Sequence, residues 1–97
     1  MASERVYVVA YDIRDPARWR RVFRLMKGYG QWLQLSVFQC RLTARRRADM
    51  AAALERLIRH EEDHVLIIDI GDAEHVDPRV ESLGRAYEAL RREATIV

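Results

Sequence analysis

An apolar, β-favouring run, Val6-Tyr7-Val8-Val9-Ala10-Tyr11, ends at the carboxylate of Asp12, and the chain then commits to a helix at Asp15-Pro16. Both alternating sets of side chains in the run are apolar, which predicts a central strand covered on both faces. Asp15 supplies an N-cap oxygen, and Pro16 fits the first helical position, where no N–H is needed. This strand-to-helix switch constrains the fold more than any other local feature.

The rest of the chain repeats the theme. Trp19, Val22, Phe23 and Met26 recur at helical spacing and predict a buried stripe, with Arg20, Arg21, Arg24 and Lys27 on the opposite arc. Gly28-Tyr29-Gly30 ends this helix and offers a glycine for a left-handed cap. Residues 31–42 read as extended through Trp32, Leu33, Leu35, Val37, Phe38, Cys40 and Leu42. Strands usually run about five or six residues, so a kink or tight hairpin is expected near Ser36–Gln39. Thr43 caps a second helix reaching to about residue 60, with Met50, Leu54, Leu57 and Ile58 as its core stripe. His64 to Ile70 is the clearest strand, and Gly71-Asp72 ends it. Residues 72–92 are mixed: Pro78 starts a short helical turn and Gly84 breaks it. Ala94-Thr95-Ile96-Val97 is a candidate final strand.

The order is that of an α+β protein, a ferredoxin-like βαββαβ sandwich with an extra C-terminal strand. At 97 residues and 49% apolar, the chain reads as one domain spanning 1–97 with a modest core. Its helices cover one sheet face. The opposite apolar face, to which this reading assigns some of Trp32, Phe38 and Tyr11, needs another cover. A homodimer through the sheet faces supplies one, with 72–97 as a tail that contributes to dimerisation. No repeat, linker or low-complexity stretch interrupts the pattern. No apolar run approaches the ~20 residues of a membrane span, and the N-terminus lacks signal-peptide architecture, so the expectation is a cytoplasmic protein with no membrane partner.

The net charge of +2 conceals an asymmetry: residues 1–50 carry 11 Lys+Arg against 4 Asp+Glu, and residues 51–97 carry 6 against 11. A basic face for a polyanion is one reading, and two solvated faces of opposite sign is the other. The basic set is Arg14, Arg18, Arg20, Arg21, Arg24 and Lys27, with a second group of Arg41, Arg45, Arg46 and Arg47. Guanidinium forks suit phosphate oxygens, and such binding is sequence-independent and salt-sensitive. The first helix lacks interleaved Glu, unlike a merely soluble helix face, which mixes signs.

Most other chemistry is excluded. His60-Glu61-Glu62-Asp63-His64 matches the literal zinc-protease pattern, but its second histidine opens a strand, whereas that chemistry needs both on one helical face. His75 reads as a surface residue, and Asp69 and Asp72 as edge or turn residues. Ser36 has no nearby histidine. Cys40 is the sole cysteine, which excludes an intrachain disulfide, and it reads as a small buried hydrophobe. The four glycines are scattered and form no phosphate loop.

Asp12 stands apart. One carboxylate per chain is a poor Mg²⁺ site, but two copies facing across a dimer axis, completed by water and phosphate oxygens, could polarise a phosphodiester and activate water. The commoner role for such a residue is to bond backbone amides in the turn before Asp15.

Three elements together resemble the small CRISPR-associated family called Cas-two. They are the strand ending Tyr11-Asp12-Ile13, the block Gly30-x-x-x-Gln34-x-Ser36-Val37-Phe38-x-Cys40, and Glu62-Asp63-His64-Val65-Leu66-Ile67-Ile68. The resemblance covers essentially the whole chain. It implies a symmetric homodimer at the centre of the spacer-acquisition complex, bound to the CRISPR integrase and to double-stranded DNA. It also implies a metal-dependent endonuclease acting on DNA or single-stranded RNA, with Asp12 as catalytic residue and Mg²⁺ ligand, and with Ser36 and Phe38 serving fold and interface. Gln39 departs from the family's frequent acidic residue. The alternative is a ferredoxin-like regulatory or ligand-binding module that binds no nucleic acid.

Overall fold

The computed structural model describes residues 3–84. The candidate strand Ala94–Val97 and the rest of the tail beyond Gly84 lie outside the described residues. The elements are β1 (Glu4–Asp12), α1 (Pro16–Lys27), β2 (Gly30–Gln34), β3 (Val37–Thr43), α2 (Ala44–Leu57) and β4 (His64–Asp72). The sheet order is β2-β3-β1-β4, with every neighbouring pair antiparallel. Each helix therefore connects two strands that flank a third, the split βαβ arrangement of a ferredoxin-like α+β fold.

Local chemistry sets the helix ends. The Arg18 amide donates to Asp15 Oδ2 at 2.9 Å, and Pro16 opens α1 as the sequence predicts. The Arg46 amide donates to Thr43 Oγ1 at 3.2 Å at the start of α2. The C-terminus of α1 departs from expectation. Gly28 keeps a right-handed φ of −79°; its N–H donates to the Leu25 carbonyl at 3.0 Å, and the Tyr29 N–H donates to the Met26 carbonyl at 2.9 Å. Gly30 serves a different need. A Cβ there would lie 2.5 Å from both Cys40 Sγ and the Gln39 carbonyl oxygen, so the close approach of β2 to β3 requires its absence. α2 stops at Leu57, short of residue 60.

Residues 31–42 resolve into β2 and β3, joined by a tight turn at Leu35-Ser36. Leu35 carries a φ of +40°. Three hydrogen bonds hold this turn: Trp32 Nε1–H to the Leu35 carbonyl at 2.9 Å, the Tyr11 amide to the Ser36 carbonyl at 3.1 Å, and Trp19 Nε1–H to Ser36 Oγ at 2.7 Å.

The core lies between the sheet and the helices. Tyr7, Val9 and Tyr11 of β1 alternate inward with Phe38, Cys40 and Leu42 of β3, against Val22, Phe23 and Met26 of α1 and Met50 and Leu54 of α2. Phe23 stacks on Trp19 at 5.2 Å and meets Trp32 and Phe38 edge-on at 5.7 and 5.6 Å. Trp32, Phe38 and Tyr11 therefore face the helices and not the open side of the sheet. The register decides this: Trp32 pairs with Phe38, and Tyr11 shares parity with Val9. The open face instead carries Val8 and Ala10 of β1 with the exposed Leu66 and Ile68 of β4.

In β4, Val6 pairs with Gly71 while Tyr7 pairs with Asp69, so Ile70 is the extra residue of a bulge and Gly71 takes a φ of +142°. No helical turn forms at Pro78. Val80 and Leu83 stay exposed there, and a short helix with no buried stripe is not stable in water.

Candidate functional site

Asp12 is the last residue of β1 and is exposed, directly opposite His64 of β4. Its carboxylate makes no hydrogen bond or ion pair among the described residues, so it does not serve the turn that follows it. Asp63 does. Its buried carboxylate accepts the Arg14 amide at 3.0 Å, the Arg59 amide at 2.8 Å and the Arg18 guanidinium through Nε at 2.6 Å and Nη2 at 3.0 Å. The Arg18 guanidinium above all, with the two amides, holds the Asp63 carboxyl well below the usual carboxylate range despite its burial. Sequence reasoning missed this group because two of its three partners, Arg18 and Arg14, lie 45 and 49 residues away, beyond any local motif.

The basic residues divide into committed and free. Arg18 is committed, with its side chain 12% exposed and Glu62 as a further partner at 3.1 Å. Arg41 pairs with Glu4 at 2.9 Å, and Arg45 lies 3.8 Å from Asp49. Arg46 donates to the Gly28 carbonyl at 3.1 Å and covers the Tyr29 ring at 4.8 Å. The Lys27 ammonium sits 5.4 Å from the Phe23 ring centroid. By contrast, the guanidiniums of Arg20, Arg21 and Arg24 on the outer arc of α1, with those of Arg14 and Arg47, are exposed and unpaired among the described residues.

Other candidates acquire local roles. Ser36 Oγ accepts the Trp19 indole proton, and Phe38 is fully buried against the helices, so within this chain both serve the fold. Burial pushes the Cys40 thiol up to about 11, which makes it inert. Asp69 pairs with Arg5 at 3.0 Å, and Asp72 accepts the Glu74 amide at 2.8 Å in a turn. His60 lies in the turn after α2, with a ring nitrogen 3.3 Å from the Glu55 carbonyl, while His64 opens β4. The described residues contain no cluster of three or more metal-ligating side chains. Among the described residues of this chain, a divalent cation at Asp12 would therefore find at most the side-chain donors of Asp12 and His64.

The fold and these features describe a small ferredoxin-like α+β protein with an arginine-rich outer helix and a free aspartate at the end of its first strand. Residues 5–77 match the family model of the CRISPR associated protein Cas2, and the chain belongs to that family. It is 64% identical to the CRISPR-associated endoribonuclease Cas2 1 of Rhodospirillum rubrum, covering 98% of this chain and 93% of that one. It is 53% identical to the CRISPR-associated endoribonuclease Cas2 of Geobacter sulfurreducens, over 97% of this chain and 99% of the relative. Its structure is similar to the crystal structure of Streptococcus pyogenes Cas2, with a TM-score of 0.70, 33% identity and coverage of 81% and 99% of the two chains. A hypothetical protein from Thermus thermophilus matches with a TM-score of 0.71 and 38% identity, over 84% of this chain and 93% of that one. No helix among the described residues is long and apolar enough to cross a membrane.

Proposed function

We propose that this chain is the central homodimer of a CRISPR spacer-integration complex, binding duplex DNA through the outer arc of α1. The observation that carries this reading is the set of free guanidiniums at Arg20, Arg21 and Arg24, which internal ion pairs do not consume. Solvated helix faces usually mix charge signs, and α1 has no acidic residue in its first turn. The apolar open face, with Leu66, Ile68 and Ile70 exposed, supports a second copy as its cover, the tail beyond β4 contributing to that interface. The acidic second half offers a surface to the integrase subunit.

Charge reversal of Arg20, Arg21 and Arg24 together, followed by titration with duplex DNA at several salt concentrations, tests this surface. The expected result is weaker binding and a shallower salt dependence, the slope falling by about 0.9 for each phosphate that the variant no longer neutralises. Unchanged binding at low salt overturns the assignment. If the unmodified protein binds neither DNA nor RNA, the regulatory-module reading returns.

A second reading, metal-dependent phosphodiester hydrolysis, is supported by Asp12 being exposed and unpaired, and by the endoribonuclease names of the relatives. Asp12 would hold Mg²⁺, which when bound polarises a phosphate and lowers the pKa of coordinated water. This chain's own part is to present the carboxylate at a rigid strand end, next to an apolar face that a partner copy would shield from water. Purified wild type and Asp12→Asn are compared on labelled duplex DNA and single-stranded RNA, with Mg²⁺ or EDTA. Metal-dependent cleavage abolished only in the variant is expected, and equal cleavage by both proteins removes Asp12 from the chemistry.

A further inference from the structure

Asp12 and His64 are direct partners across the β1–β4 ladder, at the end of β1 and the start of β4. Opposed residues of an antiparallel pair share a face, with Cβ atoms about 4.5–5.5 Å apart. Tyr11 points into the helix-covered core, so Asp12 and its partner stand on the open face. Both are exposed, they form no ion pair with each other, and neither is engaged elsewhere among the described residues. Among the described residues, both side chains therefore remain free for a third party.

The site is also firmly placed. Asp63, immediately before His64, is pinned by amides from the α1 entry and the α2 exit and by the Arg18 guanidinium. That network fixes where β4 begins relative to the end of β1. At the spacing usual for cross-strand partners, a carboxylate oxygen and an imidazole nitrogen can each come within about 2.0–2.2 Å of a shared ion. Mg²⁺ favours oxygen ligands, whereas an imidazole favours first-row transition cations, among which Mn²⁺ is the one that also suits carboxylate and water.

We infer that His64 is the second protein ligand of the cation site at Asp12, and that this site takes a nitrogen-accepting divalent cation such as Mn²⁺ in preference to Mg²⁺. The inference rests on the proposed role of Asp12 as a metal ligand and adds to it one residue and a metal class. Two protein ligands leave the remaining coordination positions to water, to phosphate oxygens, or to the same pair from a second copy.

The test is direct metal binding, independent of any nuclease activity. The full chain is titrated with MnCl₂ and with MgCl₂ by calorimetry, and bound Mn²⁺ is followed by electron paramagnetic resonance. Wild type, Asp12→Asn, His64→Ala and His64→Asp are compared after circular dichroism confirms that each is folded. Wild type is expected to bind Mn²⁺ at least about tenfold more tightly than Mg²⁺. His64→Ala loses that preference by weakening Mn²⁺ about 10- to 100-fold, as expected when a metal site is deprived of one supporting group. His64→Asp retains a metal site but shifts its preference toward Mg²⁺. Mn²⁺ affinity unchanged in His64→Ala but abolished in Asp12→Asn overturns the inference and leaves Asp12 as the lone protein ligand. Affinity unchanged in both variants, or no binding by wild type, overturns the Asp12 reading as well.

Discussion

Asp63 and Arg18 meet as a two-point fork, Nε donating to Oδ2 at 2.6 Å and Nη2 to Oδ1 at 3.0 Å, with the carboxylate side chain fully buried. The pair ties the first turn of α1 to the turn before β4. It also withdraws Arg18 from the basic surface and leaves Asp12 with no structural duty.

Acid stability follows from this pair. Asp63 is held below the usual carboxylate range, so the native state keeps it ionised where the unfolded chain, with an ordinary value of ~3.9, takes up a proton. The stabilisation is present at neutral pH and is lost as pH falls below about 5. Asp63→Asn is expected to lower Tm at pH 7 by about 10 °C or more, because the Arg18 guanidinium loses its buried counter-charge and keeps only the more exposed Glu62. The variant's Tm should then vary less than wild type's between about pH 5 and pH 3. Parallel Tm profiles for the two proteins would refute this.

The Trp19–Ser36 hydrogen bond joins α1 to the β2–β3 turn. Ser36→Ala leaves the half-buried indole N–H without its partner and should cost about 1–2 kcal/mol in denaturant unfolding. Trp19→Phe in the same background should cost less than it does alone, with a coupling of about 0.5 kcal/mol or more. Additive costs would show that the bond contributes nothing.

Gly30→Ala places a Cβ 2.5 Å from Cys40 Sγ and from the Gln39 carbonyl oxygen. The sulfur clash is a side-chain matter, but the carbonyl belongs to the backbone ladder. The expected loss is about 2–3 kcal/mol, and Cys40→Ala in the same chain does not restore it. Recovery in the double variant would mean that the sulfur alone sets the constraint.

Leu35 holds a φ of +40° and is 74% exposed as a residue, so its backbone conformation is strained and little packing compensates. Leu35→Asn, a residue that tolerates the left-handed region, should raise stability by about 0.5–1 kcal/mol without disturbing the three hydrogen bonds of the turn. A lower Tm would show that the leucine side chain contributes more packing than its exposure in this chain provides.

The sequence alone determined the two helices, the strands at 6–11 and 64–70 that bracket them, the Asp15 and Thr43 caps, the buried stripes of both helices, and the resemblance that placed the chain in its family. Capping, helical periodicity and β-branched runs act over a few residues and can be read in one dimension. Tertiary structure decided which sheet face Tyr11, Trp32 and Phe38 occupy, because a strand apolar at every position does not reveal its inward parity and only the register settles it. It also decided why Gly30 is glycine, since the demand comes from Cys40 and Gln39 on the neighbouring strand and not from the helix end. The division of the arginines is likewise tertiary. Arg18 and Arg41 meet Asp63 and Glu4 across 45 and 37 residues, while Arg20, Arg21 and Arg24 meet no counter-charge among the described residues. A charge read in sequence has no partner until folding supplies one, so composition foretold a basic face but packing chose its members.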